Sequence, residues 1–250
     1  MAGHSHSANI KHRKNAVDAK RAKIFNKLAR NIMSAARTGG PDMDTNLKLK
    51  YAVEKARAAN MPKDNIERVM KRATGGKDGA DFEELTYEGY APGGVAIMVT
   101  CLTDNRKRTA PDIKYIFERR DGNMGSTGSV AFMFDFLSIF VVECGEHDED
   151  ALMELALEAG ADDIRVEGDV ATILASPTEY LTVKEQLDGA GLVMLSGETG
   201  YMPQNTVRVE EKKDAAKILK LIESLEENDD VQNVYANYEI SDEWLEELHS

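Results

Sequence analysis

Only two cysteines, Cys101 and Cys144, occur in 250 residues. Two are too few for a disulfide framework. Both fall in strand-like apolar runs, so they are expected to be buried thiols in a reducing compartment. No Cys/His pair has zinc spacing, and no Ser-His-Asp or Cys-His arrangement stands out. No metal, no cofactor and no catalytic residue is therefore expected, and the chain reads as not an enzyme. A metal-dependent nuclease would need clustered carboxylates in a basic groove, and Asp104 and Asp112 are the only seed of one. The longest apolar run, Phe136 to Val142, is far shorter than the ~20 residues that cross a bilayer. The first residues also lack an apolar leader core. A cytoplasmic protein without membrane contact is the expectation.

Charge is abundant and unevenly placed. At 42% hydrophobic and 30% charged, the composition is that of a globular protein, and the length suits two or three domains. The formal net charge is −13. Residues 1–78 hold 18 Lys/Arg against 7 Asp/Glu, a surplus of 11 positive charges. Residues 79–250 hold 13 against 37, a surplus of 24 negative charges. A basic head on an acidic body is the pattern of a polyanion-binding protein. The acidic body is expected to repel nucleic acid and confine contact to the head and the loop at Arg106.

Apolar periodicity predicts a helix from Asn15 to Arg37, with Val17, Ile24, Phe25, Leu28, Ile32 and Ala36 on one face, ended by Gly39-Gly40. A second helix follows from a Thr45 cap to Ala59. A third starts after Pro62, buries Ile66, Val69 and Met70, and stops at Gly75-Gly76. Beyond residue 79 the period shifts. Val95–Leu102 reads as a central strand, Thr109–Asp112 as the cap of a helix carrying Ile113, Ile116 and Phe117, and Ser129–Phe134 as a strand. Residues 137–203 follow a β-α-β-β-α-β order, which is ferredoxin-like. A strand at Thr206–Val209, a helix at Lys212–Leu225 and a strand at Val231–Tyr235 then complete the interrupted unit. The fold class expected is α+β: an N-terminal three-helix domain followed by two ferredoxin-like α+β domains, one inserted in the other. The domains are 1–78, 79–136 with 204–240, the insertion 137–203, and a peripheral acidic tail at 241–250.

Two clusters carry binding chemistry. Lys11, His12, Arg13 and Lys14 precede a helical stripe of Lys20, Arg21, Lys23, Lys27 and Arg30. A row of cations can neutralise successive phosphates and release their counterions, a term indifferent to sequence. The second cluster, Thr103 to Thr109, brings Asn105, Arg106, Lys107 and Arg108 to a strand-to-helix junction. Such a junction suits phosphate, yet Asp104, Asn105 and Thr109 equally suit a turn and a helix cap. Gly122–Gly128 resembles a phosphate loop but runs from helix to strand and lacks a Gly-Lys-Ser/Thr ending, so a tight connection is expected. Tyr87 and Tyr90 suit either base stacking or packing beneath the strand at 95.

Met1–Ser5, Ile10–Lys14, Asn60–Ile66, Tyr87–Tyr90, Pro92–Gly94, Cys101–Arg106, Gly122–Gly125, Gly128–Val130 and Asp230–Gln232 form a further set of motifs. In these stretches the chain resembles the YebC/PmpR family of probable transcriptional regulators, which is related to a mitochondrial translational activator of cytochrome oxidase. The resemblance spans the chain and implies a helical domain, two α+β domains with one inserted in the other, a cytoplasmic location and nucleic-acid binding. His6-Ser7 replaces the family's usual Lys-Trp, removing a cation and a ring. The resemblance implies two functions: a DNA-binding transcriptional regulator, or a translation factor on ribosomal RNA with the ribosome as partner. No base-reading helix-turn-helix is evident. No long apolar seam calls for a coiled coil, so a monomer or weak oligomer is expected.

Overall fold

The computed structural model describes residues 21–74 and 82–249. Three helices come first: α1 (Arg21–Gly39), α2 (Leu47–Ala58) and α3 (Lys63–Thr74). The two shorter helices are marginal alone, and all three bury Leu28, Ile32, Leu49, Val53 and Ile66 in one small core. The α1–α2 corner turns on buried Asn46. Its Oδ1 accepts from Leu49 N at 3.0 Å, which caps α2. Its Nδ2 donates to the carbonyls of Ala35 at 2.8 Å and Gly40 at 2.7 Å, which closes α1. The expected cap, Thr45, has a hydroxyl with one proton to donate, so the neighbouring amide, with two donors and an acceptor, takes the position. A side chain at Gly39 would place its Cβ 2.6 Å from Asn46 Nδ2.

The chain then enters an antiparallel sheet with β1 (Glu83–Tyr90) and β2 (Ala96–Thr103), followed by α4 (Arg106–Arg119) and the short β3 (Asn123–Met124). It leaves to build a second sheet from β4 (Phe134–Glu143), α5 (Glu149–Glu158), β5 (Asp163–Glu167), β6 (Val170–Ala175), α6 (Tyr180–Gly189) and β7 (Met194–Pro203). It returns through β8 (Val207–Arg208), α7 (Lys212–Glu226), β9 (Val231–Ala236), β10 (Tyr238–Glu239) and α8 (Asp242–His249). The first sheet has the order β3-β1-β2-β9, with the β1–β2 hairpin at its centre. The inserted sheet has the order β5-β6-β4-β7, the ferredoxin arrangement. The fold is thus α+β, a helical module followed by two α+β units with one inserted in the other. α4 and α7 cover one face of the first sheet, where Ile97, Val99, Ile113, Phe117, Ile218 and Leu221 are fully buried.

Several local expectations are corrected. Tyr87 and Tyr90 belong to β1, a strand ahead of Val95 that the apolar period does not predict, because its polar outer residues mask the alternation. Ser129–Phe134 is not a strand. A 3-10 turn occupies Ala131–Met133, because the Val130 and Ala131 N–H groups bond a buried carboxylate instead of a neighbouring strand. The α4 cap is Asn105, which accepts from Arg108 N, while Thr109 sits buried inside the helix. Thr206–Val209 reduces to the two-residue β8, which pairs in parallel with β10 outside the main sheet. The acidic tail is not peripheral. Leu245 is fully buried, and Trp244 and Leu248 pack on the same core. That apolar face recurs at helical spacing, and Glu247 pairs with Lys212 of α7. Cys101 and Cys144 are buried free thiols, as expected. No helix among the described residues is long and apolar enough to cross a membrane.

Candidate nucleic-acid interface

The basic stripe of α1 does not face outward along its length. Lys23 Nζ donates to the Glu227 carbonyl and lies 3.9 Å from Asp229. Lys27 Nζ donates to the Glu226 carbonyl at 2.7 Å. Arg30 donates to the Asp229 carbonyl at 2.9 Å and to Asp230 Oδ1 at 3.0 Å. These acceptors end α7 and open β9. The last turn of a helix leaves carbonyls unpaired and carries the negative end of the helix dipole, so three cations arriving there satisfy both. The expected outer stripe is therefore corrected at Lys23, Lys27 and Arg30, which fasten the helical module to the acidic body. Arg21 stays exposed, its guanidinium 5.5 Å from the Phe25 ring centroid. Lys11, His12, Arg13, Lys14 and Lys20 lie outside the described residues.

This docking perturbs Lys27. Burial, and next the Lys23 charge, lower its pKa from the ordinary 10.5 to about 8. The folded protein then sheds this proton first. Between about 8 and 10.5 the unfolded chain still holds it, so Lys27 makes stability rise with pH across that window. Below it both states are protonated and the cost of burying the charge is fully present. An NMR titration should find the Lys27 ε-methylene signals moving with a midpoint near 8. A midpoint at the ordinary lysine value would refute the buried docking.

The junction cluster is organised by a residue far away in sequence. Asp230, 4% exposed, accepts from Arg108 NH2 at 2.9 Å, Thr109 Oγ1 at 2.8 Å and Thr103 Oγ1 at 3.1 Å, besides Arg30. Burial pushes its pKa up, but the hydrogen bonds and charge of Arg108, with both threonines, outweigh this and leave it lowered. Arg108 also meets Asp104 at 3.0 Å, and Arg106 lies 3.5 Å from Glu83. Of the three predicted binding residues here, Asn105 caps the helix, Arg108 is neutralised internally, and Arg106 is exposed beside one carboxylate. Exposed Lys107 has no carboxylate partner among the described residues. Asp104 is likewise engaged by Arg108 rather than paired with Asp112, and no group of three metal-binding side chains forms among the described residues.

The end of the Gly122–Gly128 segment and the turn after it gather N–H groups around an anion, but that anion is the protein's own. Glu88, 3% exposed, accepts from the N–H groups of Gly128 at 2.6 Å, Val130 at 2.7 Å and Ala131 at 2.8 Å. Tyr90 donates to the Ser129 carbonyl at 2.9 Å, and Tyr87 packs on the main core, so packing rather than base stacking describes both rings. Sequence reasoning placed α3 but did not count its cations among the binding residues. Its Arg68, Lys71 and Arg72 are exposed and pair with no carboxylate among the described residues. The signal was present: their spacing of three and four places them opposite Ile66 and Ala73.

A family model described as the TACO1/YebC protein N-terminal domain matches residues 5–76, and one for the TACO1/YebC second and third domain matches residues 82–238. The chain belongs to the TACO1/YebC family. It is 51% identical to a probable transcriptional regulatory protein of Syntrophotalea carbinolica, over 97% of both chains. It is 50% identical to one of Magnetococcus marinus, over 99% of both. A crystal structure of a conserved hypothetical protein from Aquifex aeolicus, 43% identical, superposes with a TM-score of 0.80 over 90% of this chain and 93% of that one. The curated TACO1/YebC relatives thus carry the names of regulators.

Proposed function

We propose that the chain is a regulator that acts by binding nucleic acid, with the N-terminal module as its principal contact. The charge division carries this reading: a surplus of 11 positive charges before residue 79 against 24 negative ones after it. Within the module, the sequence supplies Lys11, His12, Arg13, Lys14, Lys20 and Arg21, and α3 adds the exposed Arg68, Lys71 and Arg72. None of these resembles a base-reading set, so contact is to the backbone and affinity is broad and salt-dependent. The names of the relatives agree with a regulator.

Fluorescence anisotropy with duplex DNA and with ribosomal RNA fragments tests the proposal across a salt series. Changing Lys11, Arg13, Lys14 and Lys20 to Gln should reduce the slope of log K against log salt by about 3 to 4 on duplex, at ~0.9 per lost contact. An unchanged slope would end the assignment to this module. Ribosomal RNA binding without affinity for duplex would move the protein from transcription to translation.

A further inference from the structure

The acidic body contains one place where cations are not neutralised. Most of the 13 Lys and Arg after residue 78 pair with carboxylates. Lys107, Arg119, Arg120, Lys213 and Lys220 have no carboxylate partner among the described residues; Lys107 opens α4, while the other four lie at the C-terminal end of α4 and along α7. Lys213, Lys217, Lys220 and Ser224 recur at spacings of four, three and four along α7, which puts them on one face. The end of α4 lies against that face. Arg120 Nε donates to Ser224 Oγ at 2.9 Å, and Lys217 reaches Asp121 at 3.0 Å. Arg119 NH1 donates to the Tyr115 hydroxyl at 3.0 Å. A cleft of about 250 Å³ opens here, lined by Tyr115, Ile116, Arg119, Arg120 and Ser224. Both guanidiniums are anchored by neutral hydroxyls, so their orientation is fixed while their charge stays available. Tyr115 is 58% exposed beside them.

We propose that this α4–α7 face is a second nucleic-acid contact, a phosphate-backbone track continuous with the N-terminal module. The continuity follows from α7 itself. From Lys213 to Glu226, whose carbonyl receives Lys27, the helix rises about 20 Å at ~1.5 Å per residue. That length covers about six base steps at ~3.4 Å. A strand leaving the module at the end of α7 meets Arg120, Arg119 and Lys220 next, then Lys213. The negative surplus of the body therefore confines nucleic acid to this face rather than to the head alone, and the exposed Tyr115 ring offers a stacking surface beside the arginines.

The inference rests on the reading that the chain binds nucleic acid, and the test separates the two. The full chain is titrated with a labelled mixed-sequence single strand across a salt series. Changing Arg119, Arg120 and Lys220 together to Gln should lower the slope by about 2, at ~0.7 per contact, without changing the thermal midpoint. Arg119→Lys with Arg120→Lys should restore most of it, because phosphate attraction survives that exchange. Wild-type slope in the Gln variant would overturn the track while leaving the module intact. Loss in this Gln variant but none when Lys11, Arg13, Lys14 and Lys20 are changed to Gln would sustain the track and overturn the module as principal contact. A wild-type chain that binds no strand would overturn both.

Discussion

Asp230→Ala is expected to lower the free energy of unfolding by about 3 kcal/mol, the lower end of what breaking a buried ion pair costs. The lower end applies because the Arg108 side chain is 47% exposed and can be rehydrated once its partner is lost. The substitution strips acceptors from Thr103, Thr109, Arg108 and Arg30 together. Its effect should also be directional. Arg30 belongs to α1 and Arg108 to α4, so amide exchange should rise in α1 as well as around residues 103–109. The carboxyl pKa is lowered in the fold, so its contribution is present above the unfolded carboxylate range and is lost as pH falls through the folded value. Urea unfolding at neutral and acidic pH measures both claims. A neutral-pH loss below about 1 kcal/mol would sink the idea that Asp230 fastens the module to the body.

Replacing Glu88 should cost as much or more. Its two carboxylate oxygens accept three backbone N–H groups, and no other described group is placed to receive them. Glu88→Gln retains one acceptor oxygen but turns an NH2 group toward N–H donors. A loss of about 3 kcal/mol is expected, since each unsatisfied buried donor costs about 1–3 kcal/mol. Burial raises this carboxyl's pKa, but the hydrogen bonds from Gly128, Val130 and Ala131 outweigh it, so the net shift is downward. Stability from this group is therefore present above the unfolded carboxylate range and fades as acid protonates the folded state. The Gln variant should show a flatter acid limb than the parent. Its Gly128 amide should exchange faster while amides in the inserted sheet stay protected. Exchange unchanged at Gly128 would contradict the account.

The helical module was legible because its core residues repeat at three and four, and its glycines end α1 where the chain must turn. The insertion was legible because strands and helices from Ile139 to Ser196 alternate in one ferredoxin-like order. β1 escaped because Glu83-Glu84 and Glu88 break the apolar alternation, and Glu88 is buried as a hydrogen-bond acceptor rather than as an apolar side chain. The α8 tail escaped because its eight residues are mostly polar and show only Trp244, Leu245 and Leu248 as an apolar face, about two turns of helix.

The candidate site divides along the same line. That residues before 79 are basic and those after are acidic is a property of composition, and the sequence alone established it. So was the presence of cations at 23, 27 and 30 on one side of a helix. Whether those cations face solvent was settled only by the tertiary structure. Their partners are backbone carbonyls at Glu226, Glu227 and Asp229, about 200 residues away, and any residue has a carbonyl. What makes the Glu226 and Glu227 carbonyls anion-like is that a helix ends there, with its acceptors unpaired and its dipole converging, while the Asp229 carbonyl follows just beyond that end. The same reason holds for Arg119, Arg120 and Lys220, which become one cluster only when α4 and α7 pack side by side on the first sheet.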